Sequence, residues 1–183
     1  RRASAMRDEE GQLAEALQRL AGRLADGGSY ISSLRRLSGG ASQQTWAFDL
    51  DCADGRKLPL VLRRASDAGG QRASGTAGLG AEARLIRAAG AGGVPVPGVC
   101  HVLEPGDGIG EGFVMDRVEG ETLGRRIVRD PRLASARKVL ARQCGEAMAR
   151  IHRLPVKGLP PLRSAGARAE LDFQMGLHRS HGT

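Results

Sequence analysis

The chain has 183 residues, 40% of them hydrophobic, which is enough for one domain with a core or for two small lobes. The formal charge of +8 invites a nucleic-acid interpretation, but the 25 Arg and 3 Lys are scattered along the chain and aromatic residues make up only 3%. No run approaches the roughly 20 apolar residues that span a bilayer, and charged residues stand where a signal peptide needs an apolar run. We therefore expect a cytoplasmic protein that binds neither nucleic acid nor membrane.

The first predicted element is an amphipathic helix over residues 8–25. Gly27 and Gly28 follow it and are typical of a helix end. We therefore treat residues 1–28 as a helical extension at the amino terminus. Spacings of four, three and four residues give this helix one apolar stripe, formed by Leu13, Leu17, Leu20 and Leu24.

Five short segments of strand type come next. Three of them, at residues 30–37, 45–50 and 58–63, form an antiparallel meander in which Asp54 and Gly55 provide a hairpin turn. A Gly-rich surface loop is predicted over residues 65–80. A helix over residues 81–89 follows, with Leu85, Ile86 and Ala89 predicted to face inward. Two further strands, at residues 99–103 and 112–118, complete a five-stranded antiparallel sheet with one inserted helix.

From residue 119 onward the pattern is helical, which makes the fold class α+β. A helix is predicted over residues 122–128, and Asp130-Pro131 provides the cap and first turn of a long helix that reaches about residue 154. A last helix is predicted over residues 167–177. Because the chain begins at Arg1 and ends at Thr183 without a helix cap, we expect a fragment of a longer protein. The predicted buried stripe of the long helix is Leu133, Ala136, Leu140, Cys144, Met148 and Ile151.

A Gly-containing loop between the first two strands is the first candidate for chemistry. Gly39, Gly40 and Ser42 could let backbone N–H groups approach phosphate oxygens, because no large side chain stands in the way. By itself, such a loop is more often an ordinary hairpin turn.

The third strand adds a cation. Alternation places Val61 and Arg63 on one face and Arg64 on the other, so Arg64 is expected to contribute little to a site on the Arg63 face. Glu82, on the helix inserted in the sheet, could pair with Arg63. A Gly-rich loop, a strand cation and a helix acid occur in this order in protein-kinase-type folds.

Successive segments of the chain resemble the aminoglycoside phosphotransferase family of kinases. The segments are LSGGASQQTW, LVLRR, AEARLIRAAGAGGVPVPGV, GFVMDRVEGETL and EAMARIHRLP, and together they extend over nearly the whole chain. The resemblance is greatest to a branch that carries Arg in the third strand and in which some members are fused to acyl-CoA dehydrogenases. It implies a protein-kinase-like N-lobe over residues 29–118, then a hinge and an incomplete helical C-lobe over residues 119–183.

The resemblance also implies a site for ATP. At its phosphate end, Gly39, Gly40 and Ser42 would cover the phosphates, Arg63 would contact them, and Glu82 would orient Arg63.

At the adenine end, Val61 would line the pocket and Met115 would lie at its back. The backbone of Asp116 and Val118 would form hydrogen bonds with adenine in the linker between the lobes.

The sequence departs from the family pattern in three places. Gln43 stands where many members have Asn, and Arg63 stands where many kinases have Lys. The catalytic-loop Asp, the Asn that follows it and the second metal-binding Asp are not recognised, and the sequence contains no Asn at all. We expect His152 to be a helix-packing residue, and we expect no metal site at His178 and His181, which lack a carboxylate partner. We therefore predict no catalytic residue and no metal ligand in this chain, with the Mg²⁺ ligands in the missing part of the C-lobe.

The leading hypothesis is an enzyme that transfers the γ-phosphoryl of ATP to a hydroxyl of a small molecule. A non-catalytic, pseudokinase-type nucleotide-binding or interaction module is the alternative from another class. A basic nucleic-acid-binding protein is the third.

Overall fold

The computed structural model describes residues 2–25, 27–37, 43–66, 78–162 and 166–180, with side chains from residue 8 onward. Gly39, Gly40 and Ser42 lie outside the described residues, and so does most of the predicted Gly-rich loop over residues 65–80. The five helices among the described residues are α1 (Arg2–Leu24), α2 (Leu79–Ala91), α3 (Gly124–Arg129), α4 (Ala134–His152) and α5 (Ala167–Ser180). The strands are β1 (Tyr30–Leu37), β2 (Gln43–Asp51), β3 (Lys57–Ala65), β4 (Val99–Val102) and β5 (Gly112–Asp116).

These strands form one antiparallel sheet in the order β1-β2-β3-β5-β4. The hairpin between β2 and β3 turns at the predicted place, because Gly55 adopts a φ of 83°, which glycine tolerates without strain. The Cys52 N–H donates to the Arg56 carbonyl across this turn at 2.8 Å. The predicted α+β class and the five-stranded sheet with one inserted helix are confirmed.

Helix α1 covers one face of the sheet, which we call the α1 face. The predicted apolar stripe is confirmed: Leu13, Leu17 and Leu20 are buried, and Leu24 is half-buried. Burying such side chains is the main stabilising contribution of a packed helix, worth about 1.5–3 kcal/mol for each one fully buried. The core under α1 also contains Trp46, Phe48, Leu50, Leu60, Leu62, Ile109 and Val114.

Helix α2 packs on the opposite face, which we call the α2 face. Its buried residues are Leu79 and Ala83, and Ile86 packs beside them against Phe113. Of the three residues predicted to face inward, Ile86 packs on this cluster, whereas Leu85 and Ala89, half-buried like Ile86, do not belong to it, so the prediction is confirmed in part. The helix begins two residues earlier than predicted, and its buried stripe follows the spacing i, i+4, i+7.

The predicted buried stripe of α4 is wrong. Helix α4, described throughout, buries none of its residues, and Leu140, Met148 and Ile151 are 41%, 56% and 48% exposed. Helical spacing predicts an apolar face, but it does not say whether another element covers that face.

The carboxyl end of α4 contacts the turn after α2. The Arg150 guanidinium donates from Nη1 to the Gly93 carbonyl at 3.0 Å. Leu154 packs directly on Gly92, where any larger residue would collide with it. Asp130 caps the 3-10 turn Pro131–Leu133 by accepting the Arg132 N–H, whereas the long helix α4, which it was predicted to cap, begins at Ala134 without a side-chain cap. Among the described residues, no helix is both long and apolar enough to cross a membrane.

Candidate functional site

Three rows of side chains cross the α2 face of the sheet. Residues two apart on a strand point to the same face and lie about 7 Å apart, so the registers of β2, β3 and β5 define the rows. We call them the Arg63 row, the Val61 row and the Arg117 row. Their members are Thr45, Arg63 and Phe113; Ala47, Val61 and Met115; and Asp49, Pro59 and Arg117.

The ion pair predicted in the Arg63 row is confirmed. Arg63 Nε lies 3.2 Å from Glu82 Oε1, and the two side chains are 36% and 30% exposed. The Nε–H has no hydrogen-bond acceptor among the described residues, so the contact is an ion pair by distance without hydrogen-bond alignment. The contact places the Glu82 carboxylate beside the Arg63 guanidinium at the edge of α2.

The Val61 row is an apolar floor. Val61 is 6% exposed, Ala47 is fully buried, and Met115 is half-buried on the same face. This row lies directly beside the Arg63 row, so an apolar surface and a fixed cation are neighbours. That combination fits a ligand with a flat apolar part and an anionic part.

Asp116 ends β5 and Val118 lies in the linker that follows, and the backbone of both was predicted to contact adenine. Their backbone N–H groups have different hydrogen-bond partners. The Asp116 N–H already donates to the Gly98 carbonyl at 2.9 Å, and its carboxylate accepts the Gly98 N–H at 3.1 Å. A ligand contact of the Asp116 backbone would therefore use its carbonyl group. The Val118 amide has no hydrogen-bond partner among the described residues, and the residue is 71% exposed.

Cys100 lies beside this linker, and its thiol is 3.5 Å from Asp116 Oδ1. Burial and the nearby Asp116 carboxylate raise the pKa of the Cys100 thiol to about 11. The thiol is therefore protonated at neutral pH and is a poor nucleophile.

Arg64 leaves β3 on the α1 face, as predicted, but it is a buried structural residue. Its Nε donates to Gln44 Oε1 at 2.8 Å, and its Nη2 donates to Glu9 Oε1 at 2.6 Å. The side chain is only 8% exposed. Glu9 was missed at the sequence level, although it precedes Leu13 by four residues and so continues the buried stripe of α1.

Asp49 and Arg117 were also missed. They form an ion pair of 2.9 Å in the third row. The alternation of strand residues does predict the face on which they lie, because Asp49 lies two residues beyond Ala47 and Arg117 lies two residues beyond Met115. Finding the pair requires the register across β2, β3 and the linker, which a single sequence does not provide.

Metal binding needs several ligand side chains close together, and the described part of the chain does not bring them together. No group of three or more His, Cys, Asp or Glu side chains that could hold a metal ion occurs there. His152 is exposed at the end of α4, so its predicted packing role is wrong. His178 is exposed on α5, and His181 lies outside the described residues.

A five-stranded antiparallel sheet, with an inserted helix whose acid pairs with a cation on the third strand, defines a protein-kinase-like N-lobe. The model of the phosphotransferase enzyme family, APH, matches residues 33–180, and the chain belongs to this family. Neither a curated protein nor a solved structure matches the chain. The family match begins within β1, so α1 precedes the matched region.

Proposed function

We propose that this chain is the ATP-binding part of a phosphotransferase that transfers the γ-phosphoryl group of ATP to a hydroxyl of a small molecule. One observation carries the proposal: the ion pair of Arg63 and Glu82 stands beside an apolar row on one face of the sheet, in a member of a phosphotransferase family. The cytoplasm, where ATP is abundant, is the compartment we propose.

Each end of the site then has a distinct task. Arg63 can direct two N–H groups at phosphate oxygens, while Glu82 limits its rotation. Gly39, Gly40 and Ser42 are proposed to cover the same phosphates.

At the other end of the site, Val61 and Met115 would bury one face of adenine, and the Val118 amide would donate to its edge. The carbonyl of Asp116 is the proposed acceptor for the adenine amino group. ATP supplies the transferred group, and Mg²⁺ neutralises its phosphates. We assign no residue of this chain to the metal.

The test is calorimetric titration of MgATP into the chain and its variants. Arg63→Ala removes a charge-assisted contact worth roughly 1.5–3 kcal/mol, so MgATP should bind about ten- to a hundredfold more weakly. Arg84→Ala, which removes an exposed cation from the same helix as Glu82, is the matched control and should bind normally.

Arg64→Ala separates the two faces of β3. It should lower the free energy of unfolding, because Glu9 and Gln44 lose the hydrogen bonds that the Arg64 guanidinium donates to them, while the folded fraction binds MgATP nearly as well as the unsubstituted chain. Failure of the unsubstituted chain to bind MgATP would contradict the proposal, and so would equal binding by the Arg63→Ala variant.

A nucleotide-binding module without catalysis is the second candidate, because the ion pair of Arg63 and Glu82 beside the apolar row would serve nucleotide binding with or without transfer. Sequencing and assaying the full-length gene product separates the two: transfer to a small hydroxyl compound supports the enzyme, and MgATP binding without transfer supports the module.

A further inference from the structure

The linker that follows β5 is held to the sheet through Arg117, by its backbone amide and by its side chain. The Arg117 N–H donates to the Pro59 carbonyl at 3.0 Å, which extends the pairing of β5 with β3 by one residue. Its side chain then reaches past β3 to β2, where Nη1 lies 2.9 Å from Asp49 Oδ1 and 3.4 Å from the Phe48 carbonyl. The linker is therefore attached to two strands at the end of the face that bears the Val61 row.

Burial distinguishes the two carboxylates that contact Arg117. Asp49 is 13% exposed and Arg117 is 20% exposed, whereas Glu119, 2.9 Å from Arg117 Nε, is 79% exposed. Exposed ion pairs contribute little because water screens them and because holding both side chains in one geometry costs conformational entropy. Asp49 is therefore the partner that fixes Arg117, and Glu119 is a natural control.

Asp49 is itself held from its other side. Lys57 Nζ lies 3.9 Å from Asp49 Oδ2 and 3.0 Å from Asp51 Oδ1, and the Ser32 hydroxyl donates to Asp51. Alternating charges thus run from Arg117 through Asp49 and Lys57 to Asp51, and the neutral Ser32 hydroxyl connects the last of them to β1. These contacts fix the position of the Arg117 side chain relative to the sheet.

We propose that Arg117 is a positioning residue for the adenine end of the nucleotide site. This inference rests on the proposed function. Val118, whose amide has no partner among the described residues, follows Arg117 directly, so the Arg117–Asp49 pair sets where that amide points. The pair stands one row from Val61 and two rows from Arg63, so its effect is confined to the base and does not extend to the phosphates.

The experiment uses two probes, MgATP and magnesium tripolyphosphate, because the second carries the phosphates without the base. Arg117→Ala should weaken MgATP binding about tenfold, the equivalent of one hydrogen bond lost or misplaced, and leave tripolyphosphate binding within about twofold. Arg63→Ala should weaken the binding of both probes. Glu119→Gln should change neither.

Two further variants distinguish positioning from folding. Asp49→Asn keeps the shape of the side chain and should reproduce the selective loss, while Arg117→Lys should recover part of the MgATP affinity. The exchange Asp49→Arg with Arg117→Asp restores opposite charges and should bind MgATP better than either single exchange. Fluorescence of Trp46, the one tryptophan of the chain and 2% exposed, reports whether each variant is folded.

Equal losses for both probes in the folded Arg117→Ala and Asp49→Asn variants, or no loss for either, would overturn the inference while the proposed function stands. If the unsubstituted chain binds neither probe, the proposed function fails and the inference fails with it.

Discussion

Arg63 and Arg64 are neighbours in the sequence whose side chains meet different partners on opposite faces of β3. Arg63 meets one carboxylate at a partly exposed edge, and Arg64 meets Glu9, Gln44 and the Ile109 carbonyl in a nearly dry environment. The alternation of a strand predicts the two faces, and it predicts Glu82 as a partner because that residue lies on the one helix inserted in the sheet. It does not predict burial of Arg64, which depends on the helix that packs above it.

His101 is a second residue whose environment has a measurable consequence. It lies on β4 with Nε2 3.0 Å from Asp107 Oδ2, and Asp107 is fully buried and forms an ion pair with Arg23 of α1. Burial and the nearby Arg23 lower the pKa of His101 from its ordinary value of 6.5, Arg87 acts in the same sense, and Glu104 opposes them. The folded state therefore favours the neutral imidazole.

We predict that the chain becomes less stable as pH falls below about 6.5, because the unfolded chain then takes up a proton that the folded His101 resists. The contribution of His101 to the free energy of unfolding is fully present above its ordinary pKa of 6.5, and it is lost as pH falls from there toward the lowered pKa of the folded state. Urea unfolding at about pH 7.5 and about pH 5.5, followed by Trp46 fluorescence, measures the difference. His101→Gln should reduce this pH dependence, and His152→Gln, at an exposed position, should retain it. An unchanged pH dependence in His101→Gln would contradict the assignment.

At the scale of elements, the strands were predicted well, because turn residues and the alternation of side chains along a strand are local signals in the sequence. The Asp54-Gly55 turn and the alternation of β3 place β2 and β3 within one or two residues. The inward face of α2 was only partly predicted, since it depends on where the helix begins, and Gly78 precedes it without a side-chain cap. The exposed stripe of α4 could not be predicted, because spacing reports the pattern and not the presence of a covering element.

Helix α1 has polar contacts at both ends of its apolar stripe, with the sheet at one end and with the 3-10 turn Pro105–Asp107 between β4 and β5 at the other. Glu9 accepts from Arg64 and Gln44 at one end, and Arg23 pairs with Asp107 at the other. These contacts fix the rotation and the axial position of the helix, which apolar packing alone specifies less sharply.

We predict that Glu9→Gln lowers the free energy of unfolding by roughly 1–3 kcal/mol, because it replaces the charge-assisted contact between Arg64 Nη2 and the Glu9 carboxylate with a contact to a neutral amide. The estimate stays below that for a fully buried pair since Glu9 is 26% exposed. Urea unfolding followed by Trp46 fluorescence is suited to the measurement, because Trp46 donates to Gln44 within the same network. Glu10→Gln, on the exposed side of the same turn, is the control and should unfold like the unsubstituted chain. Equal stability of the two variants would show that the Glu9–Arg64 contact contributes nothing.

At the scale of the whole molecule, the polar contacts of the described residues are concentrated in the sheet and its two packed helices. Those of α4 with the rest of the molecule are few, with Arg150 reaching the Gly93 carbonyl and Arg137 reaching the carbonyls of Ile127 and Asp130. The candidate site follows the same division, since its cation, its apolar floor and its linker all belong to the sheet or its edges. The described residues proposed to bind the nucleotide therefore lie in the sheet or at its edges, and none of them lies on α4.

We predict that this chain by itself binds MgATP but transfers no phosphoryl group. Transfer requires a carboxylate near the attacking hydroxyl and ligands that order the metal, and those roles fall to an Asp and an Asn of the catalytic loop in kinases of this fold. The sequence has no Asn, and the described residues contain no group of three or more His, Cys, Asp or Glu side chains suited to a metal. The measurement is incubation of the purified chain with labelled ATP, Mg²⁺ and a panel of small hydroxyl compounds, beside the calorimetric titration of MgATP. ATP-dependent phosphorylation of any of these compounds would contradict the prediction and would require a catalytic base among the residues of this chain.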